Sequence, residues 1–152
     1  MRATELTTEY ACDPIGLGTT NPRFSWRLEA AEDPGDVQLA YEIEVTHGDG
    51  VIWNSGRVDG SDQVLIPYAG PALVSRQRCS WAVRVWSGRA EDGTGNAGPW
   101  SDAAWFETGL LRHEDWAGTA WITRPDQPQP TTQSRLPWRR SAGPDRPSPL
   151  LR

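Results

Sequence analysis

Two glutamates in one short run are the first residues whose spacing could do chemistry. In Gln38-Leu39-Ala40-Tyr41-Glu42-Ile43-Glu44-Val45-Thr46, Glu42 and Glu44 fall on one side of an alternating pattern. Strand rise sets such neighbours ~6.5–7 Å apart, inside the ~5–9.5 Å used by carboxyl pairs that hydrolyse glycosidic bonds. Those pairs work across a cleft, with one carboxyl in a pocket that raises its pKa. A sheet face has neither feature, so a solvated face is the expectation. The adjacent pairs Glu91-Asp92 and Glu114-Asp115, in loops, carry the same expectation.

Aromatic stacking is the second chemistry on offer. Nine Trp in 152 residues is a large complement, and indole rings stack on sugar faces as readily as they fill cores. Trp86 and Trp100 are the candidate sugar contacts, should they lie exposed. Trp26, Trp53, Trp81 and Trp105 are the candidate core residues.

Other chemistries lack their residues. His47 and His113 are far apart, and neither has a Cys or His at ligand spacing. Cys12 and Cys79 could meet if the first strands pack on the penultimate one, but free buried thiols are expected. No nucleophile elbow, phosphate loop or dinucleotide fingerprint occurs, and the Gly-rich stretch 88–98 has no Lys. The sequence therefore predicts no catalytic residue, no metal and no cofactor.

The elements that would position these residues are strands. In 38–46, Tyr41, Ile43 and Val45 face one way, and Glu42, Glu44 and Thr46 the other. His47-Gly48-Asp49-Gly50 supplies a hairpin turn into Val51-Ile52-Trp53. The longest run, Arg78 to Ser87, sets Trp81, Val83 and Val85 against Ala82, Arg84 and Trp86. Leu6–Ala11, Arg23–Leu28, Val64–Ile66 and Trp105–Thr108 complete about seven short strands, with turn signals every 8–12 residues. No amphipathic helix is evident. The pattern predicts an all-β fold, an antiparallel two-sheet sandwich of the fibronectin type III or immunoglobulin kind.

Charge divides the chain. Residues 1–124 carry a net of −8 and residues 125–152 a net of +3, for −5 overall. A negative surface disfavours nucleic acid and anionic membrane, which bind cations. No stretch approaches the ~20 apolar residues of a membrane span. The start, Met1-Arg2-Ala3-Thr4-Glu5, has no signal-peptide core, so a cytoplasmic location is expected. Residues 125–152 hold 7 of the 13 prolines and five scattered Arg, a composition that predicts a disordered tail.

Several stretches together carry a resemblance. In order they are Asp13-Pro14-Ile15-Gly16-Leu17, Asn21-Pro22-Arg23-Phe24-Ser25-Trp26-Arg27-Leu28, Gln38 to Ile43, Trp53-Asn54-Ser55-Gly56 and Pro67-Tyr68-Ala69-Gly70-Pro71. Trp81 to Trp86, Gly98-Pro99-Trp100-Ser101 and Trp105 to Leu111 follow. In this order and spacing, residues 5–124 resemble the N-terminal module of bacterial α-L-rhamnosidases, the family-78 glycoside hydrolases. One departure concerns the loop at Leu73: fibronectin-like domains place a corner Tyr six residues on, where this chain has Cys79. The corner bond is expected to be lost or replaced.

The resemblance implies a domain over 1–111, an exit linker over 112–124, and a tail over 125–152 ending in a stub of the next β-domain. It implies an amino-terminal piece of a longer inverting enzyme that removes terminal L-rhamnose, its acidic residues lying in a helical barrel beyond Arg152. Partners would be the downstream domains, which Trp116 and Trp121 would face, and carbohydrate in the second reading. Three functions compete: a non-catalytic accessory module, a carbohydrate-binding module using Trp86 and Trp100, and a free-standing interaction domain.

Overall fold

The computed structural model describes residues 1–29, 35–89, 95–120 and 122. It comprises a compact unit, Met1–Gly118, and a second, Thr119–Arg152. The tail 125–152, the Glu91-Asp92 pair, Trp121 and Trp138 lie outside the described residues.

Ten strands occur among the described residues: β1 (Ala3–Thr8), β2 (Ile15–Leu17), β3 (Arg23–Leu28), β4 (Val37–His47), β5 (Gly50–Asn54), β6 (Val58–Asp59), β7 (Ile66–Pro67), β8 (Arg78–Gly88), β9 (Asn96–Ala97) and β10 (Ala104–Thr108). One sheet has the order β1-β3-β7, the other β2-β10-β8-β4-β5, with β6 added on β4 and β9 on β8. Every pairing is antiparallel except β2 on β10, which is parallel. A two-sheet, immunoglobulin-like sandwich is thus the architecture. The strands beyond the seven expected, β2, β6 and β9, have only two or three residues, too few to show a period.

Alternation places the core. Ile43 and Val45 of β4 and Val83 and Val85 of β8 have no exposed surface, because the period of 2 turns every second side chain toward the other sheet. Trp81 stacks on Phe24 at a centroid distance of 4.4 Å. Each buried indole finds a partner for its N–H: Trp81 Nε1 donates to Thr8 Oγ1 at 3.1 Å, and Trp26 Nε1 to Gln38 Oε1 at 3.1 Å. An unpaired buried N–H would cost about 1–3 kcal/mol.

Four expectations need correction. The first strand runs Ala3–Thr8, not Leu6–Ala11, because Thr8 and Ala11 close a turn and Glu9 takes a left-handed φ of 57°. Val64 and Leu65 are not strand: Leu65 sits at φ 55°, and β7 begins only at Ile66. Trp105 is not core, since the inward positions of β10 are Ala104, Phe106 and Thr108; Trp105 lies under Arg78 instead, at 4.2 Å. Trp53 is half-buried, packed against the core's edge.

The corner bond is replaced. Thr108 Oγ1 donates to Val74 O at 2.5 Å and accepts from Gln77 N at 2.8 Å. Gln77 Oε1 in turn accepts from Val74 N at 2.9 Å. A threonine of β10 and a glutamine of the loop thereby do what a tyrosine hydroxyl does elsewhere, and Cys79 fills the vacated position as apolar bulk, 1% exposed.

Candidate functional site

The outer face of the larger sheet collects the residues singled out for chemistry. Ala82, Arg84 and Trp86 project there from β8, because Trp81, Val83 and Val85 take the inner positions. The register sets Glu42 of β4 opposite Arg84. Both nitrogens of one fork engage one carboxylate oxygen: Arg84 Nε lies 2.7 Å and Nη2 2.6 Å from Glu42 Oε2.

Trp100 reaches this face through its loop. Gly98 N donates to Val85 O at 2.8 Å, and Ser101 N to Val83 O at 2.9 Å. Ser101 Oγ accepts from Val83 N at 3.1 Å. These bonds lay the Gly98-Pro99-Trp100-Ser101 segment along β8. The approach requires Gly98, because a Cβ there would stand 2.6 Å from the carbonyl oxygen of Met1.

Trp86 and Trp100 are therefore brought to one patch, but both are half-buried, not exposed as their candidacy required. Each ring already carries a cation. The Arg84 guanidinium carbon lies 5.0 Å from the Trp86 centroid and 4.9 Å from that of Trp100. Arg57 adds a second cation over Trp86 at 5.3 Å, and is itself paired with Asp59 at 3.1 Å. Each contact is worth ~0.5–1 kcal/mol at an exposed site and more when desolvated. The patch is a ladder of guanidinium and indole, closed on itself by Glu42. Alternation alone shows Arg84 and Glu42 on one face, but not that they pair, because cross-strand register is invisible in a single strand.

The expectation of a solvated Glu42 is corrected accordingly: its side chain is only 11% exposed beneath Arg84. Glu44 accepts from Asn54 Nδ2 at 3.3 Å. Neither carboxylate lines the groove beside Trp53 or the clefts beside β1. Of the other pair, Asp115 accepts from Ser75 Oγ and from Arg112 N. These bonds hold its carboxyl below the usual range. His47 Nδ1 lies 2.7 Å from the carbonyl oxygen of Arg78, and His113 stands in a turn at the far end of the chain's compact unit. Among the described residues no three His, Cys, Asp or Glu side chains gather as metal ligands would.

The cysteines do not meet. Cys79 is buried, but Cys12 is exposed, contrary to the buried thiol expected, because the turn after β1 carries it out. Burial pushes the Cys79 thiol up to about 11. Separately, an apolar groove of about 290 Å³ opens beside β5 and β7, lined by Tyr41, Trp53, Val58, Ile66 and Pro67. Its polar neighbours are committed elsewhere: Ser55 Oγ accepts from Ile43 N at 2.9 Å, and Asn54 Oδ1 from Gly56 N at 2.7 Å.

Comparison with known proteins places this geometry. The family model described as "Rha78A-like, N-terminal immunoglobulin domain" matches residues 3–112. An α-L-rhamnosidase of Streptomyces avermitilis is 41% identical over 132 residues, covering 82% of this chain and 12% of that protein. The crystal structure of the S. avermitilis α-L-rhamnosidase complexed with L-rhamnose superposes with a TM-score of 0.68 at 40% identity, over 76% of this chain and 11% of that one. The α-L-rhamnosidase structure from Dictyoglumus thermophilum gives 0.68 at 31% identity, over 77% and 13%. The chain spans about 12% of the length of the curated relatives that it matches. With the sandwich, the register and the family match in agreement, the chain belongs to the Rha78A-like N-terminal immunoglobulin domains.

Proposed function

We propose that the chain works as the N-terminal, non-catalytic module of a longer protein of the α-L-rhamnosidase type, covering and positioning the domains beside it. The observation that carries this reading is the match of an N-terminal immunoglobulin domain to residues 3–112, set against relatives of which the chain spans 12%. Hydrolysis of L-rhamnosides would then belong to other domains of the parent, and those domains are the module's partners.

The geometry supports a packing role. Glu42 is tied up by Arg84, and Glu44 accepts from Asn54, so this strand-borne pair is not set up as an acid and base across a cleft. An aromatic face whose rings are covered by guanidinium is pre-organised and rigid, and Trp and Arg are the residue types enriched where proteins meet. The carbohydrate-binding reading has one observation in its favour, that Trp86 and Trp100 share a patch. Against it, Arg84 already stacks on both rings and is held there by its pairing with Glu42.

The test is direct. The purified chain, incubated with p-nitrophenyl α-L-rhamnoside, is expected to release no p-nitrophenol above a buffer control. Turnover that co-purifies with the chain would overturn the non-catalytic reading.

A further inference from the structure

The end of the compact unit is held in an unusual way. After β10 the chain makes one short 3-10 turn, His113–Trp116, in which no residue is buried. Four residues of 3-10 helix do not persist by themselves, since nucleation costs more than their few hydrogen bonds return. Core burial does not hold this turn either. Polar contacts with the corner loop supply the attachment.

Those contacts converge on two side chains. Ser75 Oγ donates to Asp115 Oδ2 and accepts from Leu111 N at 2.9 Å. The same Asp115 oxygen accepts from Arg112 N at 2.9 Å. Arg76 N donates to Gly109 O at 3.1 Å, one step further back. The corner loop is itself fixed to β10 through Thr108 and Gln77. A continuous line of bonds thus runs from the sheet through Ser75 to the departing chain.

We propose that the Ser75–Asp115 contact is a pin that holds residues 111–117 against the corner loop, so that the sandwich ends in a rigid arm instead of a loose tether. Asp115 is a positioning residue, acting by fixing the path of the backbone around it. A charge-assisted bond suits this task, being about twice as strong as a neutral one. The proposal stands on the Met1–Gly118 unit alone and holds whatever the chain is joined to.

Amide exchange on the 152-residue chain tests it, with Ser75→Ala, Asp115→Asn and Ser75→Thr compared with the unaltered protein. Ala117 N is the reporter, because it bonds to Glu114 O at 3.0 Å and touches neither altered side chain. Its protection is expected to fall roughly tenfold in Ser75→Ala and in Asp115→Asn, the scale of one lost bond to a charged group. Ser75→Thr, which keeps the hydroxyl, should retain it, and the double variant should lose no more than either single one. Unchanged protection at Ala117 in both single variants would overturn the proposal. So would a parallel loss across β8, since the contact would then be holding the sandwich and not its exit.

Discussion

Tyr68 is the residue at which packing and polarity are most at odds. It is 2% exposed, its ring meets Trp53 at 5.1 Å and Phe24 at 6.3 Å, and its hydroxyl has no hydrogen-bond partner among the described residues. Gly70 makes room for that hydroxyl: a Cβ at Gly70 would collide with it and would lie 2.7 Å from Trp53 Cβ. Gly70→Ala should therefore destabilise the fold by about 1–3 kcal/mol, as overpacking does. Tyr68→Phe should be neutral or stabilising by up to ~1 kcal/mol, because it removes a buried polar atom without opening a cavity. Urea unfolding of both variants checks the pair, and a reversal of their order would contradict it.

Cys79 gives the same neighbourhood a pH signature. Burial raises its thiol to about 11 from an ordinary 9.0. Burial also raises Tyr68, with the Cys79 charge second, and Tyr41, with Asp62 second. A raised folded pKa means that the stabilisation is complete below pH 9 and is lost as pH climbs toward 11, where only the unfolded thiol has ionised. At about 1.4 kcal/mol per unit, the thiol alone accounts for a fall of ~2–3 kcal/mol. Denaturant titrations from pH 8 to 11 should show this decline, and Cys79→Ala should flatten it. An identical alkaline slope in that variant would assign the loss to the tyrosines.

At the scale of elements, β4 and β8 form the spine, pairing over nine residue positions from Val37↔Gly88 to Thr46↔Ser80. The Glu42–Arg84 pair ties their outer faces and, through Trp100, the Gly98–Ser101 segment laid along β8. Removing one partner leaves the other poorly solvated, so Arg84→Ala should cost about 2 kcal/mol and Glu42→Gln a comparable amount. The double variant should cost clearly less than the two added together, because the interaction is shared. Additive losses would mean that the ladder contributes only as separate contacts.

These same strands were the most legible part of the sequence. Each has eleven residues, long enough for alternation to show which face is buried. The failures came where the local backbone leaves the strand region. Leu65 and Glu9 adopt left-handed φ values of 55° and 57°, which composition does not signal for a leucine or a glutamate. Size misleads at Trp105: a bulky aromatic on a strand suggests core, yet the parity of β10 gives the inner position to Phe106. Of the candidate site, Trp86 and Trp100 could be named from the sequence. Arg84 and Arg57, which cover their rings, could not be assigned that role until the strands and loop were brought together.

For the whole molecule, the sandwich is closed by contacts between chain regions far apart in sequence. Trp105 N donates to Asp13 Oδ1 at 2.9 Å, and Arg2 pairs with Asp102 at 2.7 Å. These bonds tie segments beside the first strands to segments beside the last, within the compact unit Met1–Gly118. Within that unit, the Trp-rich outer face is proposed to serve packing and not sugar capture. The most direct measurement is an NMR titration of the 152-residue chain with L-rhamnose and p-nitrophenyl α-L-rhamnoside, following the indole N–H signals of all nine Trp. The Trp86 and Trp100 signals are expected to stay in place through millimolar ligand in the unaltered chain. Saturable shifts confined to those two indoles in the unaltered chain would contradict it and make this face a carbohydrate-binding site.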